Sequence, residues 1–283
     1  MNKNIISICQ KTKDFQNRKN VLYNLISTEW NKHIQKTKLK SSEAKEAEIS
    51  LNPIGKIIFP FTTMGNVNSL DLFGLDEIIL FSFYWFNRKK YKKVADIGGN
   101  IGLHSIILEK CGYQVETYEP DPNHIKILKK NLKLNKSKNV KVFQCAVSNE
   151  DKMDKFIRVL GNTTGSHLSG AKKNPYGELK YFNVKVKSIK KIIKKVDLIK
   201  MDVEGEEAKI ISSLSREDLE NTDIIGEISD ESNKKIIFDF CKYNNINIFT
   251  QKKNWNIAKK INDLPSSHRE GSVFMSSKNS FDW

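Results

Sequence analysis

From residue 94 onward, short apolar runs alternate with stretches in which apolar residues return every three or four positions. The runs at 94–97, 114–119, 140–147, 196–202 and 223–228 read as strands, and the periodic stretches near 101–111, 122–135, after Glu207 and up to Lys242 read as helices. The second of these periodic stretches begins with a start signal: Asp121 is placed to cap, Pro122 suits the first helical position, and Ile125, Leu128 and Leu132 share one face. Two more strands are expected near 247–250 and 272–275. Strand and helix in strict alternation predict right-handed crossovers and a doubly wound α/β fold. The expected sheet has seven strands, mostly parallel with an antiparallel last strand, and its site lies at the strands' carboxyl ends.

Two regions break the alternation. Residues 1–70 form an N-terminal extension, polar and lysine-rich over about the first 50 positions, with an amphipathic helix expected around 21–34 through Val21, Leu22, Leu25, Ile26 and Trp30. A helical cap, a substrate lid and the arm of a homodimer are all compatible with it. Pro53, Gly55, Pro60, Gly65 and Gly74 mark strand fragments and loops, and an apolar helix is expected at 76–86, ahead of the main domain's first strand. Within the main domain, 71–283, the runs 156–160 and 181–187 read as an antiparallel hairpin with a long loop. A loop of that length suits function or mobility, making Thr164, Ser166 and His167 candidate substrate contacts as well as candidates for a tip without a role.

The net charge of +15 invites a nucleic-acid partner. Only five of the 48 basic residues are arginines (18, 88, 158, 216 and 269), whereas bidentate phosphate recognition favours arginine. Lys126, Lys129, Lys130 and Lys133 on one expected helix read better as a solvated face. Cys9, Cys111, Cys145 and Cys241 lack CxxC spacing, so reduced structural thiols and a cytoplasmic location are expected. The most apolar run, 78–86, is too short to span a bilayer.

Candidate chemistry begins where the strand 94–97 runs into Gly98-Gly99-Asn100-Ile101-Gly102. Such a turn lets a ligand lie against bare backbone and presents the following helix's N–H groups to it. The spacing is not the G-x-G-x-x-G of a dinucleotide site. Asp96, two residues before the first glycine, would repel a phosphate but suits a cationic ligand such as S-adenosylmethionine, and Glu119 ends the next strand where a ribose-hydroxyl acceptor belongs.

The segments D-I-G-G-N-I-G at 96–102, Y-E-P-D-P at 118–122 and I-K-M-D-V-E-G-E-E at 199–207 resemble the FkbM family of S-adenosylmethionine-dependent methyltransferases over roughly residues 70–230. The resemblance implies a Rossmann-like class I methyltransferase fold, S-adenosylmethionine as cofactor, and a hydroxyl on a sugar, glycan or other small metabolite as acceptor. It implies cofactor contacts from Asp96, Gly98, Gly99, Asn100, Gly102, Glu119, Pro120, Ala146 and Asp202. Asp202 and Glu204 are the expected catalytic residues, with His104 as a candidate proton carrier. Each has a plainer alternative: Glu204 as a carboxylate offsetting a helix dipole, His104 as a packed residue, Cys145-Ala146 as ordinary core. Glu77 reads either as a ligand to the methionine ammonium or, preferably, as a surface carboxylate. Asp202, Glu204 and Glu227 have the oxygen chemistry for a divalent cation, but no metal is expected. Two other functions compete: a nucleic-acid methyltransferase, against which the absence of an N-P-P-Y-like block counts, and a non-catalytic binding module on the same fold.

Overall fold

The computed structural model describes residues 4–44, 46–172, 174–175 and 177–281. Its main sheet has eight strands among the described residues, in the order Asn256–Ile257, Asn247–Thr250, Val273–Ser276, Asp223–Gly226, Leu198–Met201, Lys93–Ile97, Gln114–Tyr118 and Val140–Phe143. The five from Asp223–Gly226 to Val140–Phe143 run parallel, whereas Val273–Ser276 is antiparallel to both its neighbours. The eighth strand, one more than the seven expected, is the two-residue Asn256–Ile257, which turns back onto Asn247–Thr250. Its brevity leaves no periodicity to read.

Leu198–Met201 and Asp223–Gly226 are buried throughout, as in a parallel sheet covered on both faces. One apolar cluster joins Ile78, Phe81, Val94 and Ile106; the other joins Ile97, Ile199, Ile210, Ile224 and Ile237. The helix Pro122–Leu134 starts as its sequence dictates, with the Asp121 side chain accepting from the N–H groups of Asn123 and His124 and Pro122 in the first turn. Lys126, Lys129, Lys130 and Lys133 are exposed along it.

The N-terminal segment packs into the first of those clusters through Ile5, Ile6, Trp30 and Phe59. Helix Ile5–Lys11 lies against Leu75–Phe86, where the Ser82 hydroxyl donates to Ile6 O at 2.8 Å, and Trp30 Nε1 donates to Phe73 O at 2.7 Å. The second helix, Val21–Ala44, runs ten residues past its expected end.

A second sheet, ordered His167–Leu168, Lys152–Val159, Leu179–Ser188 and Ala146–Ser148, contains the expected hairpin. It also corrects the third strand. Instead of running from 140 to 147, the chain leaves the main sheet after Phe143, where Cys145 N donates to Phe143 O at 3.0 Å, and Ala146–Ser148 pairs in parallel with the end of Leu179–Ser188. The hairpin loop meets the N-terminal segment at Gly161, whose carbonyl accepts from Asn66 N at 2.7 Å. Among the described residues no helix is long and apolar enough to cross a membrane.

Candidate active site

The strand order places Lys93–Ile97 between a half leading outward to Gln114–Tyr118 and a half beginning at Leu198–Met201. The chain reverses direction of winding there, so a crevice opens beyond the carboxyl ends of these strands. It is a cavity of about 680 Å³.

The glycine turn forms its floor. Gly98 has φ +79°, and a Cβ there would lie 1.8 Å from Asp202 O, so the turn and the end of Leu198–Met201 touch backbone to backbone. Gly98 N and Gly99 N both donate to Tyr118 O at 3.0 Å. Glu119 is fixed by main chain: Oε2 accepts from Asn100 N and Oε1 from Asp121 N, each at 2.8 Å. Pro120, Ala146, Val147 and Phe156 supply apolar wall beside it. Asp121 itself takes the Arg158 guanidinium from the hairpin, and His124 reaches Thr163 Oγ1 at 2.9 Å and lies 3.7 Å from Glu119. Burial lowers the His124 pKa, but Glu119 and Asp121 outweigh it and hold it above the ordinary histidine value.

The other side carries the carboxylates of Glu77, Asp202, Glu204 and Glu227, while Glu206, also on the lining, accepts from Ser148 Oγ. Glu204 has φ +53°, an uncommon conformation for this residue, and is ion-paired with Lys172 of the hairpin loop. Gly205 follows at φ +114°, and a Cβ there would come within 2.6 Å of Ala171 O, so the loop and the D-V-E-G turn dock against each other. Desolvation and the neighbouring Asp202 push the Glu204 carboxyl above its usual range, with Lys172 pulling against them. Glu227 is pushed well above it by burial and by Asp202, Glu77 and Glu204. Glu77 goes the other way. Burial raises it, but His104, Lys200 and Arg18 together hold it below the usual carboxyl range.

Of the residues expected at the site, Gly98, Asn100, Glu119, Pro120, Ala146, Asp202 and Glu204 border the cavity. Asp96 does not. It is wholly buried behind the turn, accepting from Ser105 Oγ at 2.5 Å and lying 3.5 Å from Lys200 Nζ, so its place is to support the turn. Gly102 packs on Leu128, and Gly99 borders only a 40 Å³ recess under the turn, which His104 shares. Thr164 and Ser166 border the main cavity, whereas His167 turns inward and donates from Nδ1 to Gly165 O at 3.0 Å. Among the described residues no group of three or more His, Cys, Asp or Glu side chains is arranged to hold a metal ion.

Lys200 went unread in the sequence. Its ammonium lies 3.8 Å from Asp202 and 3.3 Å from Gly98 O, besides Asp96, tying both sides of the crevice to one buried charge. Burial alone would lower its pKa, but Asp96 and Asp202 keep it above the usual lysine value. The signal was present: a lysine inside the four-residue buried strand L-I-K-M requires a partner.

A doubly wound sheet with a glycine turn at its winding reversal, a backbone-fixed carboxylate one strand over and an apolar wall beside it belongs to the Rossmann-like class of α/β folds, which bind ligands at this crevice. Residues 96–246 match the methyltransferase FkbM domain. The chain belongs to the FkbM methyltransferase family, and S-adenosylmethionine is the cofactor that membership implies. Among curated proteins no sequence matches significantly. Distant likenesses occur among solved structures. A SAM-dependent methyltransferase from Agrobacterium tumefaciens is 11% identical, covering 83% of this chain and 71% of that one at a TM-score of 0.44. The SAH-bound Podospora anserina methyltransferase PaMTH1 is 13% identical, with coverages of 71% and 79% and a TM-score of 0.37. A ribosomal protein L11 methylase from Lactobacillus delbrueckii subsp. bulgaricus is 14% identical, with coverages of 70% and 78% and a TM-score of 0.38.

Proposed function

We propose that the protein methylates a hydroxyl on a sugar, glycan or other small polar metabolite. The observation that carries this reading is the polar lining of the cavity: Thr163, Thr164, Ser166, Ser229 and Ser267 border it together with the Glu204 carboxylate, and their hydroxyl oxygens can accept from a polar ligand.

The residues also suit the cofactor. Asn100 Oδ1, on a residue bordering the cavity, is buried without a hydrogen-bond partner among the described residues, which calls for a donor there. Glu119, held by two N–H groups, keeps lone pairs free for ribose hydroxyls, and Pro120, Ala146 and Phe156 suit an adenine ring. When bound, S-adenosylmethionine supplies a methyl group activated by a positively charged sulfur. What remains for the chain is to orient the acceptor and receive its proton. Glu204, raised in pKa yet paired with Lys172, is the proton acceptor, and Lys172 offsets the charge left behind when the proton departs.

Calorimetry with S-adenosylmethionine tests the first half, since Glu119→Ala should weaken by about 2–3 kcal/mol the binding that the wild type shows. A methyl-transfer screen over polyols and glycosides tests the second. Glu204→Gln that turns over as fast as wild type would remove the proposed base.

A further inference from the structure

Glu77, in the first turn of helix Leu75–Phe86, borders both the main cavity and the recess beneath the glycine turn, beside Gly98, Asn100 and Asp202. Its Oε2 lies 2.8 Å from His104 Nε2, and His104 Nδ1 lies 3.0 Å from the hydroxyl of Tyr84, two turns further along the same helix. A carboxylate can only accept, so Nε2 carries the hydrogen in the neutral ring and Nδ1 accepts from the Tyr84 hydroxyl. Phe81 meets the imidazole edge-on at 5.2 Å between centroids, fixing the ring plane. Both ring nitrogens are therefore engaged, leaving His104 no lone pair with which to take a proton from an acceptor.

We infer that Tyr84 and His104 are positioning residues that hold Glu77 as the receptor for the ammonium group at the amino-acid end of the cofactor. The inference rests on the cofactor reading above. Three observations support it. Glu77 keeps 31% of its side-chain surface open although its partner His104 keeps only 12%, so one carboxylate edge is tied back and the other faces the cavity. The apolar wall and Glu119 come from the 114–147 side of the first strand, while Asp202 and Glu227 come from the opposite side, leaving the latter side for the polar end of an adenosyl amino acid. Among the carboxylates there, Glu77 is held below the usual carboxyl range, whereas Glu204 and Glu227 are raised above it.

The test compares two thioether ligands that differ in the amino-acid arm alone: S-adenosylhomocysteine and 5′-methylthioadenosine. Glu77→Gln, His104→Ala and Tyr84→Phe should weaken S-adenosylhomocysteine, with Glu77→Gln and His104→Ala costing roughly tenfold to a hundredfold and Tyr84→Phe less, while methylthioadenosine stays within about twofold of wild type. His104→Gln, whose amide can still donate toward Glu77, should recover part of the loss. Equal weakening of both ligands, or no weakening of either, overturns the inference while leaving the cofactor reading intact. A wild-type protein that binds methylthioadenosine and S-adenosylhomocysteine equally well also overturns it. A wild type that binds neither ligand overturns both.

Discussion

On one side of the first strand the cavity wall is made of main chain. Glu119 is held by Asn100 N and Asp121 N, and Gly98 N and Gly99 N close on Tyr118 O. On the other side the wall is made of side chains that must negotiate with one another: Glu204 in a left-handed conformation, paired with a lysine from the hairpin loop, and Glu227 raised by its neighbours. On the reading proposed above, the backbone-held side takes the cofactor, which never varies, and backbone hydrogen bonds suit that task. Titratable side chains on a docked loop can be exchanged without disturbing the sheet, which suits the half that chooses an acceptor.

The sharpest way to break this contrast is at Gly98. Alanine there combines a positive φ with a Cβ at 1.8 Å from Asp202 O, and should cost about 3 kcal/mol or more in urea unfolding together with all binding of S-adenosylhomocysteine. Gly112→Ala, also at positive φ but with open space around it, should cost only about 1–2 kcal/mol and leave binding unchanged.

Next comes Glu207, fully buried under the D-V-E-G turn and pushed by desolvation from 4.5 up to about 7. The fold prefers its neutral form, so its favourable contribution is complete below the unfolded value near 4.5 and is lost as pH rises through about 7. Wild type should lose about 3 kcal/mol from this group between pH 4.5 and 8. Glu207→Gln should flatten that part of the profile, measured by urea unfolding at several pH values; an unchanged slope would count against the assignment.

Glu119→Ala should lower S-adenosylhomocysteine affinity by about 2–3 kcal/mol in calorimetry with turnover falling in proportion, since charge-assisted bonds to the ligand are lost. Glu204→Gln should separate the two halves: kcat reduced about a hundredfold and the cofactor Kd unchanged. Lys172→Ala is the mildest, with about a tenfold loss in kcat that exceeds any loss in cofactor affinity. A Lys172 variant that lost cofactor binding first would show the two walls to be one.

Much of the glycine-turn side was legible because its determinants are local. Val94 to Gly102 carries strand, turn and helix start in nine residues, and Asp121-Pro122 announces the next helix. The carboxylate side depends on distance. Lys172 meets Glu204 across 32 residues, and His104 finds Tyr84 and Glu77 at separations of 20 and 27, none of which a local pattern encodes. The departure of the chain from the main sheet after Phe143 was hidden for a related reason. Residues 140–147 alternate well enough for one strand, and only the partner, Leu179–Ser188, decides where the last three residues pair.

The bond from Asn66 N to Gly161 O has a practical corollary for anyone shortening this chain. Gly65 sits so close to Gly161 that a built Cβ would lie 2.2 Å from its carbonyl oxygen, which makes the stretch before residue 70 a buttress for the hairpin tip. Trimming back to the family-matched 96–246 would discard that buttress, Glu77 and the Ser267 and Arg269 rim together, leaving the motifs written in the sequence with only part of the walls that enclose their cavity.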